Sequence, residues 1–93
     1  MEEAREDIVF MTNSNTYLQK IYAIFKPEYF EVFKMCNTSS DVLLFALRRR
    51  DLDGEGPLDP WYTINKTSFK IKGFSPHMDL ALFKEALNNP IDI

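Results

Sequence analysis

Cysteine and histidine each occur once, as Cys36 and His77. A lone cysteine excludes an internal disulfide and any cysteine-cluster metal site, and it fits a reducing compartment. The same scarcity leaves nucleophilic catalysis short of parts, because a nucleophile needs a base and a group to orient that base. Cys36 therefore reads as a small core residue and His77 as a surface residue just inside a helix start. Only three glycines are present, and they form no glycine-rich phosphate loop. No apolar run approaches the roughly 20 residues of a membrane span. Basic excess is also lacking: the formal net charge is −3, so the chain as a whole is not built to hold a polyanion. The opening residues, MEEARED, are acidic where a signal peptide would be basic, and a cytoplasmic protein is expected. Without a secretion signal, the sequons at Asn37 and Asn65 read as chance matches.

What is present is apolar and aromatic. The chain is 45% hydrophobic and 14% aromatic, with eight Phe, four Tyr and one Trp. That supports one folded domain over residues 1–93, with aromatic side chains to spare for a binding surface. The chain is organised around residues 40–61. Residues 42–47 are apolar without a break, and periodicity alone does not separate a buried strand from a buried helix. The flanks favour a helix. Ser39, Ser40 and Asp41 suit an N-cap, and Arg48, Arg49 and Arg50 would complement the dipole in a last turn. Such a helix, apolar all round, would be central and covered on more than one side.

The same logic applies along the rest of the chain. Residues 1–7 read as a frayed turn or helix start, and 8–11 as a strand or the end of a first helix. Tyr17, Leu18, Ile21, Ile24 and Phe25 fall on one helical face. Pro27 suits the first turn of a second helix, with Tyr29, Phe30, Phe33 and Cys36 along one side. After Trp61 the character changes. Residues 61–64 are β-rich, and 67–72 alternate polar and apolar. Together they predict a hairpin with Phe69 and Ile71 inward and Lys70 and Lys72 outward. Ser75 and Pro76 open a last helix through Leu87, with Leu80, Phe83 and Leu87 inward. The fold class is therefore α+β: a mainly helical N-terminal half, then a β-hairpin and a C-terminal helix. A competing parse makes 66–72 a short helix, which would create a helix-turn-helix.

The candidate site is the acidic Gly/Pro stretch 51–60. Asp51, Asp53 and Glu55 stand at alternate positions, Gly56 is sixth and Asp59 ninth, the spacing of the first half of a calcium-binding EF-hand loop. The twelfth position is Tyr62, where that loop needs a bidentate Glu, so no metal is assigned. The stretch instead predicts a partner-binding surface of Asp51, Asp53, Glu55, Asp59, Trp61 and Tyr62. Carboxylates there would steer a basic protein partner, and the aromatics would anchor it. No cofactor and no catalysis are expected. Lys66, Lys70 and Lys72 would form a small basic face, most simply a solvated one.

In size, acidic charge and element order, the whole chain resembles the small immunity proteins that neutralise bacterial toxins. These include the immunity proteins of contact-dependent inhibition systems, and phage-encoded inhibitors are similar. The resemblance implies a cytoplasmic inhibitor that masks a basic, nuclease-type site, and no family residue carries over onto a position of this chain. The alternative is a small helix-turn-helix-like nucleic-acid-binding regulator. Against it, Asp79 and Glu85 would lie on the reading helix and repel phosphate.

Overall fold

The computed structural model describes residues 14–50 and 61–93. The expectations for residues 1–13 and for the acidic stretch 51–60 lie outside those residues. The element order is α1 (Ser14–Ile24), β1 (Phe30–Cys36), β2 (Val42–Arg49), β3 (Trp61–Asn65), β4 (Ile71–Phe74), a 3₁₀ turn (Pro76–Met78) and α2 (Leu80–Leu87). The four strands form one antiparallel sheet in the order β1-β2-β3-β4. The class is α+β, but its N-terminal half is only partly helical. Among the described residues, no helix is long and apolar enough to cross a membrane.

The first correction concerns residues 42–49, expected as a central helix and found as the central strand β2. The inference of burial on more than one side holds, and the geometry does not. Leu43, Phe45 and Leu47 point to the face covered by α1, where they pack with Tyr17, Ile21 and Ile64. Leu44 points to the other face, where it packs with Ala86 of α2 and with Cys36. A strand buried on both faces loses its polar alternation and reads as a continuous apolar run. Full burial of each large side chain stabilises the fold by about 1.5–3 kcal/mol.

Residues 30–36, expected within a second helix, form the strand β1. A β-bulge explains the misleading pattern. The register with β2 shifts between Val32 and Lys34, which places Phe33 as the extra residue. An inserted residue breaks the period of two and can imitate helical spacing. Tyr29 and Phe33, expected inward, are 58% and 50% exposed, whereas Val32 and Met35 are buried. Pro27 lies in a turn rather than a helix, where the amides of Tyr29 and Phe30 both donate to the Lys26 carbonyl. Residues 89–91 run along the outer edge of β1: Asn37 N–H donates to Asn89 O, and Ile91 N–H to Met35 O. This pairing covers part of an otherwise open strand edge.

The hairpin is present, with its second strand displaced from 67–72 to Ile71–Phe74. The Asn65 side chain is the cause. Its Oδ1 accepts from the backbone N–H groups of Thr67 and Ser68 at 2.8 Å each, and this Asx turn consumes the residues that would have begun the strand. Phe69 sits in the left-handed region at φ 62°, which is costly for a bulky side chain. Its ring compensates by packing 5.5 Å from Tyr17, with the Lys20 ammonium 5.0 Å above it. Residues 66–72 contain no helix, so the helix-turn-helix parse is lost. The last helix is shorter than expected. Ser75 makes no side-chain cap, and Asp79 caps α2 by accepting from Leu82 N–H. That later start shifts the inner face. Ala86 is buried and Leu82 and Phe83 are half-buried, while Leu80 and Leu87 are exposed.

Candidate functional site

The acidic residues Asp51, Asp53, Glu55 and Asp59 lie outside the described residues, but both roots of their segment are placed. Arg50 follows β2 and Trp61 opens β3, so the segment joins the two central strands. The last paired residues at that end are Ala46 and Trp61.

Trp61 and Tyr62 are consecutive in a strand, so they project to opposite faces of the sheet. Trp61 meets Phe83 edge-on at 5.1 Å on the α2 face. Tyr62 stacks on Phe45 at 5.5 Å and lies 5.1 Å from Phe25 on the α1 face. Each such pair adds about 0.5–1.5 kcal/mol beyond area burial. Both rings are half-buried within the fold and do not stand side by side. They fasten the downstream root of the acidic segment, one on each face.

The aromatic that stands free near the upstream root is Tyr29, which the sequence reading placed inward on a helix. Its carbonyl accepts from Arg50 N–H at 2.9 Å, which brings it beside the first root, and its side chain is exposed. The signal that would have found it is the period of two in residues 30–36, which the bulge at Phe33 hides.

The arginine triplet is divided by the strand pleat and its end. Arg48 sits opposite Glu31 in the register, and its guanidinium lies 4.8 Å from the centroid of the Phe33 ring. Its Nε is buried and has no hydrogen-bond partner among the described residues. Leaving such a donor unsatisfied costs about 1–3 kcal/mol. Arg50 donates from Nε to the Pro27 carbonyl at 2.6 Å, and its NH1 is 3.9 Å from Glu31 Oε1. At that length and exposure the ion pair is weak.

Cys36 is fully buried between β1 and α2, and burial raises its thiol pKa, with Lys34 opposing the shift. A buried, neutral thiol is a poor nucleophile. His77 is exposed in the 3₁₀ turn. Burial also raises the Tyr17 pKa, and its hydroxyl donates to the Lys66 carbonyl at 3.2 Å. Among the described residues, no group of three or more His, Cys, Asp or Glu is placed to hold a metal ion. No protein-family model, curated protein or solved structure matches this chain.

Proposed function

We propose that this chain is a stoichiometric protein-binding inhibitor of the immunity type, whose acidic segment masks a basic surface on its partner. One observation carries the proposal: Asp51, Asp53, Glu55 and Asp59 occupy the connection between the two central strands, with exposed Tyr29 at its root. Two packed strands hold the residues on either side of the segment. Carboxylates in that position speed encounter with a basic surface and select against acidic ones, and tyrosine is a frequent anchor of such contacts. The calcium reading gains no support from Tyr62, the twelfth position, whose ring is packed against Phe45 and Phe25.

The test is affinity capture from the host of origin with the unmodified chain and with the joint variant Asp51→Asn, Asp53→Asn, Glu55→Gln. A protein with a basic surface should be retained by the first and lost or strongly weakened in the second. Its association with the unmodified chain should slow as salt is raised. Tyr29→Ala should cost that complex about 2 kcal/mol or more. Equal affinity of the partner for the unmodified chain and the joint variant would move the binding surface away from this segment.

A further inference from the structure

The two outer edges of the sheet are finished differently. At β1 the chain covers its own edge, where Asn37 N–H donates to Asn89 O and Ile91 N–H to Met35 O. At β4, among the described residues, no strand pairs with the outer edge. The register fixes which backbone groups face outward there. Asn65 N–H donates to Lys70 O, so Lys70, Lys72 and Phe74 turn their backbone groups toward β3. Ile71 and Gly73 turn theirs away from the sheet, at the spacing that another strand requires.

Gly73 is a feature of this edge that the fold itself does not use. Glycine weakens a strand, and it is needed where there is a bulge, a left-handed φ or a close backbone approach. The register of Gly73 with Tyr62 runs without a bulge, and its φ is not left-handed. A Cβ at this position would meet no atom within 4 Å. The missing side chain leaves open space on the α1 face, beside Tyr62 and half-buried Ile71. A bulky side chain from a neighbouring strand fills such a space beside an edge glycine.

Charge selects the strand. Residues 61–78 contain three lysines and no acid. Lys66 is committed to the Thr38 carbonyl at 2.9 Å, whereas Lys70 and Lys72 are exposed beside the open edge. Lys72 stands on the α2 face with Phe74, which packs against Phe83. Pairing of β4 with a second copy would set lysines against lysines, which is unfavourable across strands. An acidic strand is favoured for the same reason.

We propose that the outer edge of β4 is a docking site for an extended acidic segment of a partner protein, which adds a strand to the sheet. Its acids lie against Lys70 and Lys72 on one face. On the other face, a large apolar residue fills the space at Gly73 beside Tyr62. Main-chain bonds to Ile71 and Gly73 give affinity, and the alternating side chains give selectivity. This surface takes an acidic partner and does not depend on the reading above, which concerns a basic one.

The experiment is an amide-shift titration of the full chain with three peptides. The first is acetyl-Glu-Val-Glu-Phe-Glu-Val-Glu-amide. The second has Lys for every Glu, and the third is the acidic peptide N-methylated at both Val and at Phe, the residues whose N–H groups would face β4. The acidic peptide should saturate, with shifts centred on residues 71–74 and slowed hydrogen exchange at the Ile71 and Gly73 amides. The basic and N-methylated peptides should bind at least about tenfold more weakly. Gly73→Val, which the open space accommodates, should weaken the acidic peptide about threefold or more, and Lys72→Glu about fivefold. Thermal melting confirms that each variant is folded. The proposal is overturned if the acidic peptide does not saturate below about 10 mM, a bound set by ordinary weak affinities. It is equally overturned if the N-methylated peptide binds as well, if the shifts centre elsewhere, or if either variant changes nothing. Protection of the Ile71 and Gly73 amides in the free monomer would show that the chain's own residues hold this edge. Protection that grows with protein concentration would assign it to a second copy, and either result overturns the proposal.

Discussion

The two faces of the sheet are filled by different means. On the α1 face, large side chains interlock in a wide layer: Tyr17, Ile21, Met35, Phe45 and Ile64 are all buried. On the α2 face, the fully buried residues are Cys36, Leu44 and Ala86. Two of those three are small, and the covering helix is only eight residues long. The aromatics of that face, Trp61, Phe74 and Phe83, are half-buried and pack against this centre. The contrast teaches that one sheet can be closed by a wide layer of large side chains on one side and by a small buried centre ringed by aromatics on the other. The α1 side should then hold the larger share of stability.

The sharpest way to break this comparison is a pair of truncations at adjacent positions of β2. Phe45→Ala should cost about 3–5 kcal/mol, because a rigid, crowded layer cannot collapse into the space. Leu44→Ala should cost about 2–3 kcal/mol, the lower part of the usual range, because a short helix can settle toward the strand. Urea denaturation with unchanged slopes measures both. Equal losses would end the distinction between the faces.

A smaller effect tests what holds α2 in place. Asp79→Ala removes the side-chain acceptor for Leu82 N–H and should cost about 1 kcal/mol in the same assay. A loss near zero would mean that packing of Phe83 and Ala86 alone fixes the helix.

Alkaline pH probes both faces together. Burial raises the pKa of Tyr17 on one face and of Cys36 on the other. A raised pKa means that the folded chain keeps its proton when the unfolded chain has lost it. The stabilisation is therefore complete below the ordinary values and declines as pH rises above about 9 for Cys36 and 10 for Tyr17. Melting temperature should fall across that window. Removing the two groups separately, as Cys36→Ala and Tyr17→Phe, should each take away part of the slope. Cys36 should also resist alkylation at neutral pH until the chain unfolds, and rapid labelling of the native protein would show that the α2 face opens readily.

The smallest expected effect concerns neither face. The joint change Asp51→Asn, Asp53→Asn, Glu55→Gln should alter stability by no more than about 0.5 kcal/mol, the usual size for substitutions outside a packed core. Adding millimolar calcium to the unmodified chain should leave its melting temperature unchanged. A rise in melting temperature abolished by the three substitutions would establish a calcium site instead.

Much of the fold was legible where local chemistry acts alone. The α1 helix shows in its apolar stripe, of which Tyr17 and Ile21 are buried while Ile24, expected on the same face, is 61% exposed. The hairpin after Trp61 shows in its β-rich residues, although the Asx turn at Asn65 delays its second strand. The candidate site was legible only as composition. Its acids stand out in the sequence, while the exposure of Tyr29 and the separation of Trp61 from Tyr62 follow from strand geometry.

By itself the sequence determined where the chain turns after Asn65 and that residues 42–47 must be covered on more than one side. Those properties belong to side chains and their nearest neighbours. Only the tertiary structure decided that residues 30–36 and 42–49 are strands. An isolated apolar run satisfies its backbone equally well in a helix, and β2 becomes a strand because β1 and β3, on either side of it in the chain, supply its hydrogen bonds. The bulge at Phe33 and the approach of Arg48 to its ring are products of that pairing. Neither exists until β1 and β2 lie side by side about 5 Å apart.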